Sequence, residues 1–150
     1  MALKAGDKVP EILGINQDGK ELKLSDFSGK KIVLYFYPKD NTPGCTAQAC
    51  SLRDNYDALR KAGYEVVGVS ADSAKSHQGF IAKQNLPFNL IADTETTLSQ
   101  LFGTWGEKKM YGRKYMGMFR TTFIIDEKGF IEKVIGPKEV NTNKHVEQII

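Results

Sequence analysis

Hydrophobic positions along this 150-residue chain follow two patterns, short continuous apolar runs and longer stretches with helical spacing. The apolar runs are rich in β-branched and aromatic residues, which is typical of strands buried on both faces. We predict such strands at residues 31–37, 65–70 and 88–92. The helical spacing predicts helices at residues 43–62, 73–85 and 96–102.

Two β-hairpins are predicted where apolar segments flank turn sequences. The first spans residues 11–24, with Asp18-Gly19 as a strong turn signal. The second joins residues 121–126 to residues 130–135. Residues 103–118, rich in Gly, Lys, Tyr and Met, indicate an irregular excursion.

The chain closes with a predicted helix from Asn141 onward. It stops at the apolar pair Ile149-Ile150, which suggests that this last helix is truncated. Alternating strands and helices predict an α/β fold with helices flanking a mixed central sheet. The order of elements is that of a thioredoxin-like fold with an added N-terminal β-hairpin, in a single domain over residues 1–150.

Composition excludes several classes of partner. Hydrophobic residues make up 41% and charged residues 26%, as in ordinary globular proteins. The net charge is only +3 and the charges are interspersed, so we expect no nucleic-acid or anionic-membrane partner. The sequence has neither an apolar segment of membrane-spanning length nor an N-terminal signal peptide. We therefore expect a cytoplasmic protein.

The candidate chemistry lies in two cysteines, Cys45 and Cys50. In a cytosolic chain a close pair is more typical of catalysis, redox chemistry or metal binding than of a structural disulfide. With Thr42 as N-cap and Pro43 at the first helical position, Cys45 falls in the first turn of a helix. Unpaired N–H groups and the helix dipole would stabilise a thiolate there. The alternative is a small, buried and inert side chain.

Helical phase places the two thiols on different faces. Cys45 lies on an apolar stripe with Ala49, Leu52, Tyr56 and Leu59. Cys50 lies about 140° around the helix, on a polar face. In an intact helix their Cα atoms are roughly 8.5 Å apart, and a disulfide needs about 4.4–6.8 Å. A bond between them would require the first turns to unwind; otherwise Cys50 is a spectator.

The chain resembles the peroxiredoxins through the motif Pro-x-x-x-Thr-x-x-Cys, formed by Pro38, Thr42 and Cys45. The segments Tyr-Phe-Tyr-Pro-Lys, Thr-Pro-Gly-Cys-Thr and Ala-Cys are similar to the bacterioferritin comigratory protein (PrxQ) branch. The similarity continues at residues 106–108 and 120–126 and spans nearly the whole chain. A mild departure is Gln48, where many relatives have Glu.

The resemblance implies a thiol peroxidase that needs no cofactor and acts on hydrogen peroxide and organic hydroperoxides in antioxidant defence. Cys45 would attack the peroxide and become a sulfenic acid, and Cys50 would resolve it as an intramolecular disulfide. Thioredoxin or a similar dithiol would reduce that disulfide. The resemblance also favours a monomer.

Further site roles come from the same resemblance. Thr42, Arg120 and the N–H groups of Gly44 and Cys45 would bind the peroxide, and Pro38 would shield the thiolate from water. Taken alone, Thr42 is a plain N-cap, Pro38 a strand terminator and Arg120 a solvated side chain.

Three other functions compete with this one. A thioredoxin-like disulfide oxidoreductase would have Cys-x-x-Cys at the helix start, whereas this chain has four residues between its cysteines. Structural zinc needs four ligands, and His77 and His145 form no recognisable pair, so we expect no metal. A non-catalytic interaction domain leaves the placement of Cys45 unexplained.

The segment 108–118 carries methionine and tyrosine side chains, including Met110, Tyr111, Tyr115 and Met116. They would either form an apolar rim that admits organic hydroperoxides or pack against the core.

Overall fold

The computed structural model describes residues 2–150 and contains nine strands and four α-helices within that range. The strands are β1 (Ile12–Ile15), β2 (Glu21–Lys23), β3 (Lys31–Phe36), β4 (Tyr64–Ser70), β5 (Asn89–Ala92), β6 (Trp105–Met110), β7 (Arg113–Met118), β8 (Thr121–Ile125) and β9 (Ile131–Ile135). The helices are α1 (Pro43–Asp54), α2 (Tyr56–Lys61), α3 (Ala74–Gln84) and α4 (Thr97–Leu101), with short 3₁₀ turns at Leu24–Phe27 and His145–Gln148.

Five strands form the central sheet in the order β5-β4-β3-β8-β9. β3, β4 and β5 are parallel, and β8 and β9 run antiparallel to their neighbours. One apolar cluster contains Cys45 and Leu52 of α1, and a second contains Phe36 and Phe102. The mixed sheet of a thioredoxin-like fold and the added β1–β2 hairpin are thereby confirmed.

The interpretation of residues 103–118 as irregular is wrong. Residues 105–118 form a third hairpin, of β6 and β7, which is separate from the central sheet and is turned by Tyr111 and Gly112, both with positive φ. Two such residues make the tight turn that matches the twist of paired strands. Tyrosine rarely occupies this conformation, and much of the hairpin faces solvent, so neither a turn signal nor an alternating pattern marks it.

The single helix predicted over residues 43–62 is in fact two helices, because the chain bends at Asn55. Its backbone leaves the helical region at φ −117° and ψ 17°, and its side-chain amide donates to the carbonyl oxygen of Ser51 at 2.9 Å. Asparagine side chains compete in this way with the regular helical ladder. The predicted stop holds, since Gly63 follows α2 with a φ of 90°.

The last helix, predicted from Asn141 onward, is also wrong. Only the short turn His145–Gln148 is helical. The Asn141 side chain accepts hydrogen bonds from the N–H groups of Asn143 and Lys144, which makes a local turn instead of a helix start. His145 is buried and hydrogen-bonded to Thr122 of β8, so a tertiary contact fixes this segment.

No helix within residues 2–150 is long and apolar enough to cross a lipid bilayer.

Gly68 in β4 allows the Tyr35 ring to pack against the sheet below α1. A Cβ atom at Gly68 would lie 2.7 Å from Leu90 Cδ2 and 2.9 Å from Tyr35 Cζ. We expect Gly68→Ala to lower the free energy of unfolding by about 1–3 kcal/mol through overpacking, measured by urea denaturation. Gly79→Ala in α3 is the matched control, since its Cβ meets open space and alanine favours a helix. Equal stability of the two variants would contradict this account.

Candidate active site

Cys45 lies in the first turn of α1 and is 1% exposed. Thr42 is the N-cap with extended backbone, and Pro43 is the first helical residue, as predicted. The Thr42 hydroxyl donates to the carbonyl oxygen of Lys39 at 2.9 Å and makes no capping hydrogen bond to the helix. The first-turn N–H groups therefore stay available to a ligand at Cys45, because helix geometry gives them no acceptor.

Arg120, which is distant in sequence, contacts Cys45 in the folded protein. Its Nη2 donates to Cys45 Sγ at 3.4 Å, although the residues are 75 positions apart. The pairing of β3 with β8 joins Phe36 to Thr121, which brings Arg120 beside the end of β3. The guanidinium thus places a positive charge and an N–H donor where a thiolate would form.

Gln48 holds this guanidinium in place. Its Oε1 accepts a hydrogen bond from Arg120 Nη1 at 2.8 Å, and the side chain is buried one turn after Cys45. A neutral amide here orients Arg120 without cancelling its charge. Gly44 permits the close approach, since a Cβ atom on it would lie 3.2 Å from Arg120 Nη2.

Cys50 is a free thiol on the same helix, partly exposed on the side facing α3. Its Sγ lies 3.6 Å from Gln84 Oε1, at the end of α3. Arg53, one turn further along α1, donates to the Gln84 carbonyl oxygen at 2.7 Å. The face of α1 that the sequence predicted to be polar therefore contacts the end of α3. Because both thiols are part of one continuous helix, they point to different sides of it, as the sequence predicted.

A cavity of about 310 Å³ lies beside Pro38, which follows β3 and is half-buried. Its walls come from that loop and from the β6–β7 hairpin, including Trp105, Tyr115 and Met116. Lys108 also lines it, and burial and the nearby Arg120 charge lower the pKa of the Lys108 ammonium. Cys45 itself does not line this cavity.

Sequence reasoning missed Lys108 as part of the site, because the hairpin that carries it was not recognised. It also missed a buried pair, Asp40 and His77, beneath the loop that leads to Cys45. Asp40 lies inside the Pro38–Cys45 segment and could have been suspected from that position. Nothing in the local sequence marks His77.

This arrangement defines a class of protein. A buried thiol faces a guanidinium at the start of a helix, an arrangement that favours a thiolate, and the same helix carries a second free thiol. The chain is a cysteine-based oxidoreductase with a thioredoxin-like fold.

The comparisons with known proteins give the family. A model of the AhpC/TSA family matches residues 5–134. A Bcp peroxiredoxin of Coxiella burnetii is 46% identical over 150 residues, 100% of this chain and 98% of the relative. Peroxiredoxin Bcp of Escherichia coli K12 is 43% identical over 148 residues, 99% of this chain and 94% of the relative.

A solved structure supports the same assignment. The bacterioferritin comigratory protein of Xanthomonas campestris, whose structures concern alkyl peroxide reduction, has a TM-score of 0.85 at 32% identity. The match covers 97% of this chain and 94% of that one. The chain belongs to the AhpC/TSA family and is a peroxiredoxin of the Bcp type, which confirms the resemblance stated above.

Removing the guanidinium tests the geometry at Cys45. We expect Arg120→Ala to slow the reaction of the reduced protein with hydrogen peroxide by roughly 100-fold or more, since a charged donor aimed at the reacting atoms is lost. Stopped-flow fluorescence of the single tryptophan, Trp105, would follow the rate. Arg113→Ala, at the exposed end of the β6–β7 hairpin, is the control. Equal rates in both variants would remove Arg120 from the site.

Proposed function

We propose that this protein reduces hydrogen peroxide and organic hydroperoxides through a thiolate at Cys45. The observation that carries the proposal is the hydrogen bond from Arg120 to the Cys45 sulfur, at the positive end of α1. In the first step the thiolate attacks the terminal peroxide oxygen and the O–O bond breaks. Cys45 becomes a sulfenic acid, and the released alkoxide or hydroxide takes a proton to give alcohol or water.

The surrounding residues then have definite roles. Arg120 and the N–H groups of Gly44 and Cys45 bind the peroxide and stabilise the charge that moves to the leaving oxygen. The Thr42 hydroxyl lies at the N-cap and turns from the Lys39 carbonyl oxygen toward the bound peroxide. Pro38 shields the thiolate from water on one side. Its backbone nitrogen has no N–H group to which a water molecule could bind.

Cys50 resolves the sulfenic acid. Its thiolate attacks the Cys45 sulfur and the S–O bond breaks, so that an intramolecular disulfide forms and the departing hydroxide takes a proton to become water. Since the helix keeps the two Cα atoms roughly 8.5 Å apart, at least the first turn of α1 must unwind before this step. A dithiol protein such as thioredoxin then reduces the disulfide and lets α1 reform.

The wider setting follows from these roles. We propose that residues 1–150 act as a single domain in the cytoplasm, as a monomer, with thioredoxin or a similar dithiol as reductant. Each catalytic step uses groups of one chain, which supports action as a monomer. The chemistry proposed for these residues requires no bound cofactor.

Intact mass after one equivalent of hydrogen peroxide tests the two cysteines. The parent should lose about 2 Da as the disulfide forms, and Cys50→Ser should gain about 16 Da or multiples of it. Cys45→Ser should stay unchanged and have no peroxidase activity. Cys50→Ser should complete one turnover but should not be recycled by thioredoxin in an NADPH-coupled assay. Normal turnover of Cys50→Ser would make Cys50 a spectator, and an unreactive parent would refute the peroxidase proposal.

The cavity beside Pro38 predicts a preference among peroxides. Met116 and Tyr115 line it, so we propose that they contact the organic part of a bulky hydroperoxide. We expect Met116→Ala to lower kcat/KM for cumene hydroperoxide by roughly five- to ten-fold, but not for hydrogen peroxide, because apolar contact is lost. Met110→Ala is the matched control, since Met110 is about as exposed as Met116, at 55% against 57%, but lies outside this cavity. A parallel loss for both peroxides would assign the hairpin to packing alone.

A further inference from the structure

Beneath the loop that leads to Cys45 lies a buried acid–base pair that the mechanism above does not use. Asp40 is 4% exposed and His77 is 0% exposed. Asp40 stands in the loop between β3 and α1, five residues before Cys45, and His77 lies on α3. The two side chains connect the active-site loop to a different layer of the fold.

Three donors surround the Asp40 carboxylate. Tyr37 donates to its Oδ1 at 2.5 Å, and Ser76 and His77 Nδ1 lie 2.8 Å from its Oδ2. Burial alone would raise the pKa of Asp40, but the hydrogen bonds from His77, Tyr37 and Ser76 outweigh burial and lower it. Asp40 is therefore an ionised carboxylate inside the protein.

Both ring nitrogens of His77 face acceptors. Nδ1 is 2.8 Å from the Asp40 carboxylate, and Nε2 is 2.9 Å from the carbonyl oxygen of Ile91. A carbonyl oxygen carries no proton, so Nε2 must donate to it. A neutral ring would then direct the lone pair of Nδ1 at a carboxylate, which is repulsive. Both nitrogens therefore face acceptors, an environment that a ring protonated at both nitrogens would satisfy.

The Asp40 backbone is fixed as well. Its N–H donates to Asp72 Oδ2 at 2.8 Å, and that carboxylate also accepts from Ser70 Oγ at the end of β4. The next residue, Asn41, turns the chain with a φ of 63°. The chain is thus tied to the sheet and α3 at Asp40, and it is free of these ties from Asn41 onward.

We propose that His77 is a positioning residue, whose buried ion pair with Asp40 anchors the active-site loop at the point where unwinding of α1 must stop. The proposal rests on the function proposed above, because that function requires α1 to unwind and reform in every cycle. An anchor at Asp40 keeps Pro38 and the β3 end in place, so that Cys45 returns to Arg120 after each reduction. Without this anchor, the loop before α1 would lose its position when α1 unwinds.

A second buried histidine provides the comparison. His145 is also 0% exposed, but its Nε2 lies 2.8 Å from the Thr122 hydroxyl, which can donate as well as accept. Burial lowers the pKa of His145, so that ring is neutral near pH 7. It lies in the C-terminal segment, and its ring hydrogen-bonds to Thr122 and Gln148 and not to residues 38–45, so its loss perturbs a buried hydrogen bond elsewhere.

The charge of His77 can be read directly. Ring ¹⁵N NMR of the reduced protein at pH 7 should show two protonated nitrogens for His77 and one for His145. In Asp40→Asn, His77 should lose one of these protons, because the carboxylate that requires it is gone. A single protonated nitrogen on His77 in the parent would overturn the proposal, and this readout does not depend on peroxidase activity.

Kinetics test the positioning role. In His77→Gln the first step, Cys45 oxidation, should slow by roughly ten- to 100-fold, since the reacting groups are misplaced. The later step, disulfide formation, should not slow, because it requires an unwound helix. His145→Gln should leave the first step unchanged. Equal slowing of both steps in His77→Gln, or equal first-step rates in the two variants, would overturn the proposal.

The two proposals fail differently. If the parent protein does not react with peroxide, the proposed function is wrong. If the parent reacts and the first step in His77→Gln is as fast as in the parent, the function stands and the anchoring role is wrong.

Discussion

The geometry of an α-helix prevents Cys45 and Cys50 from bonding while α1 is intact, and the rest of the site is organised around that constraint. In the folded helix, Cys45 is buried and contacts Arg120, an environment that favours a thiolate ready to react with peroxide. The same helix keeps Cys50 on another side, near Gln84 of α3. In the proposed cycle, one segment therefore has to be ordered for the first reaction and disordered for the second.

The beginning of α1 is built for such a transition. The Thr42 side chain bonds to the preceding loop and does not cap the helix, and capping is one of the interactions that stabilise a first turn. Gly44 lacks a side chain and permits the approach of Arg120. The helix is also short, because Asn55 ends it after three turns. The segments before α1 are held by more contacts. β3 is the middle strand of the sheet, and Asp40 is hydrogen-bonded to Asp72 and His77.

Strand pairing is what gives Arg120 its role. An arginine before a strand is ordinarily solvated, and no local pattern distinguishes this one. The antiparallel register of β3 and β8 puts Thr121 opposite Phe36, so the residue before β8 meets the residues after β3. Gln48 then fixes the orientation of the guanidinium. The site combines a local motif around Cys45 with one cation supplied by a distant strand.

The sequence by itself determined the strands of the central sheet, the start of α1 and the inward face of Cys45. These follow from local rules: apolar runs, the N-cap and proline signals, and helical phase. Only the tertiary structure decided that residues 105–118 pair as a hairpin, that Asn55 breaks the long helix, and that the C-terminal segment is fixed by His145 and not by a helix. It also decided the Asp40–His77 pair and the place of Lys108. The C-terminal segment, the Asp40–His77 pair and the place of Lys108 depend on contacts between residues far apart in sequence, and side-chain packing and strand register set such contacts. The break at Asn55 and the turn at Tyr111 are local, but their sequences carry no signal that marks them.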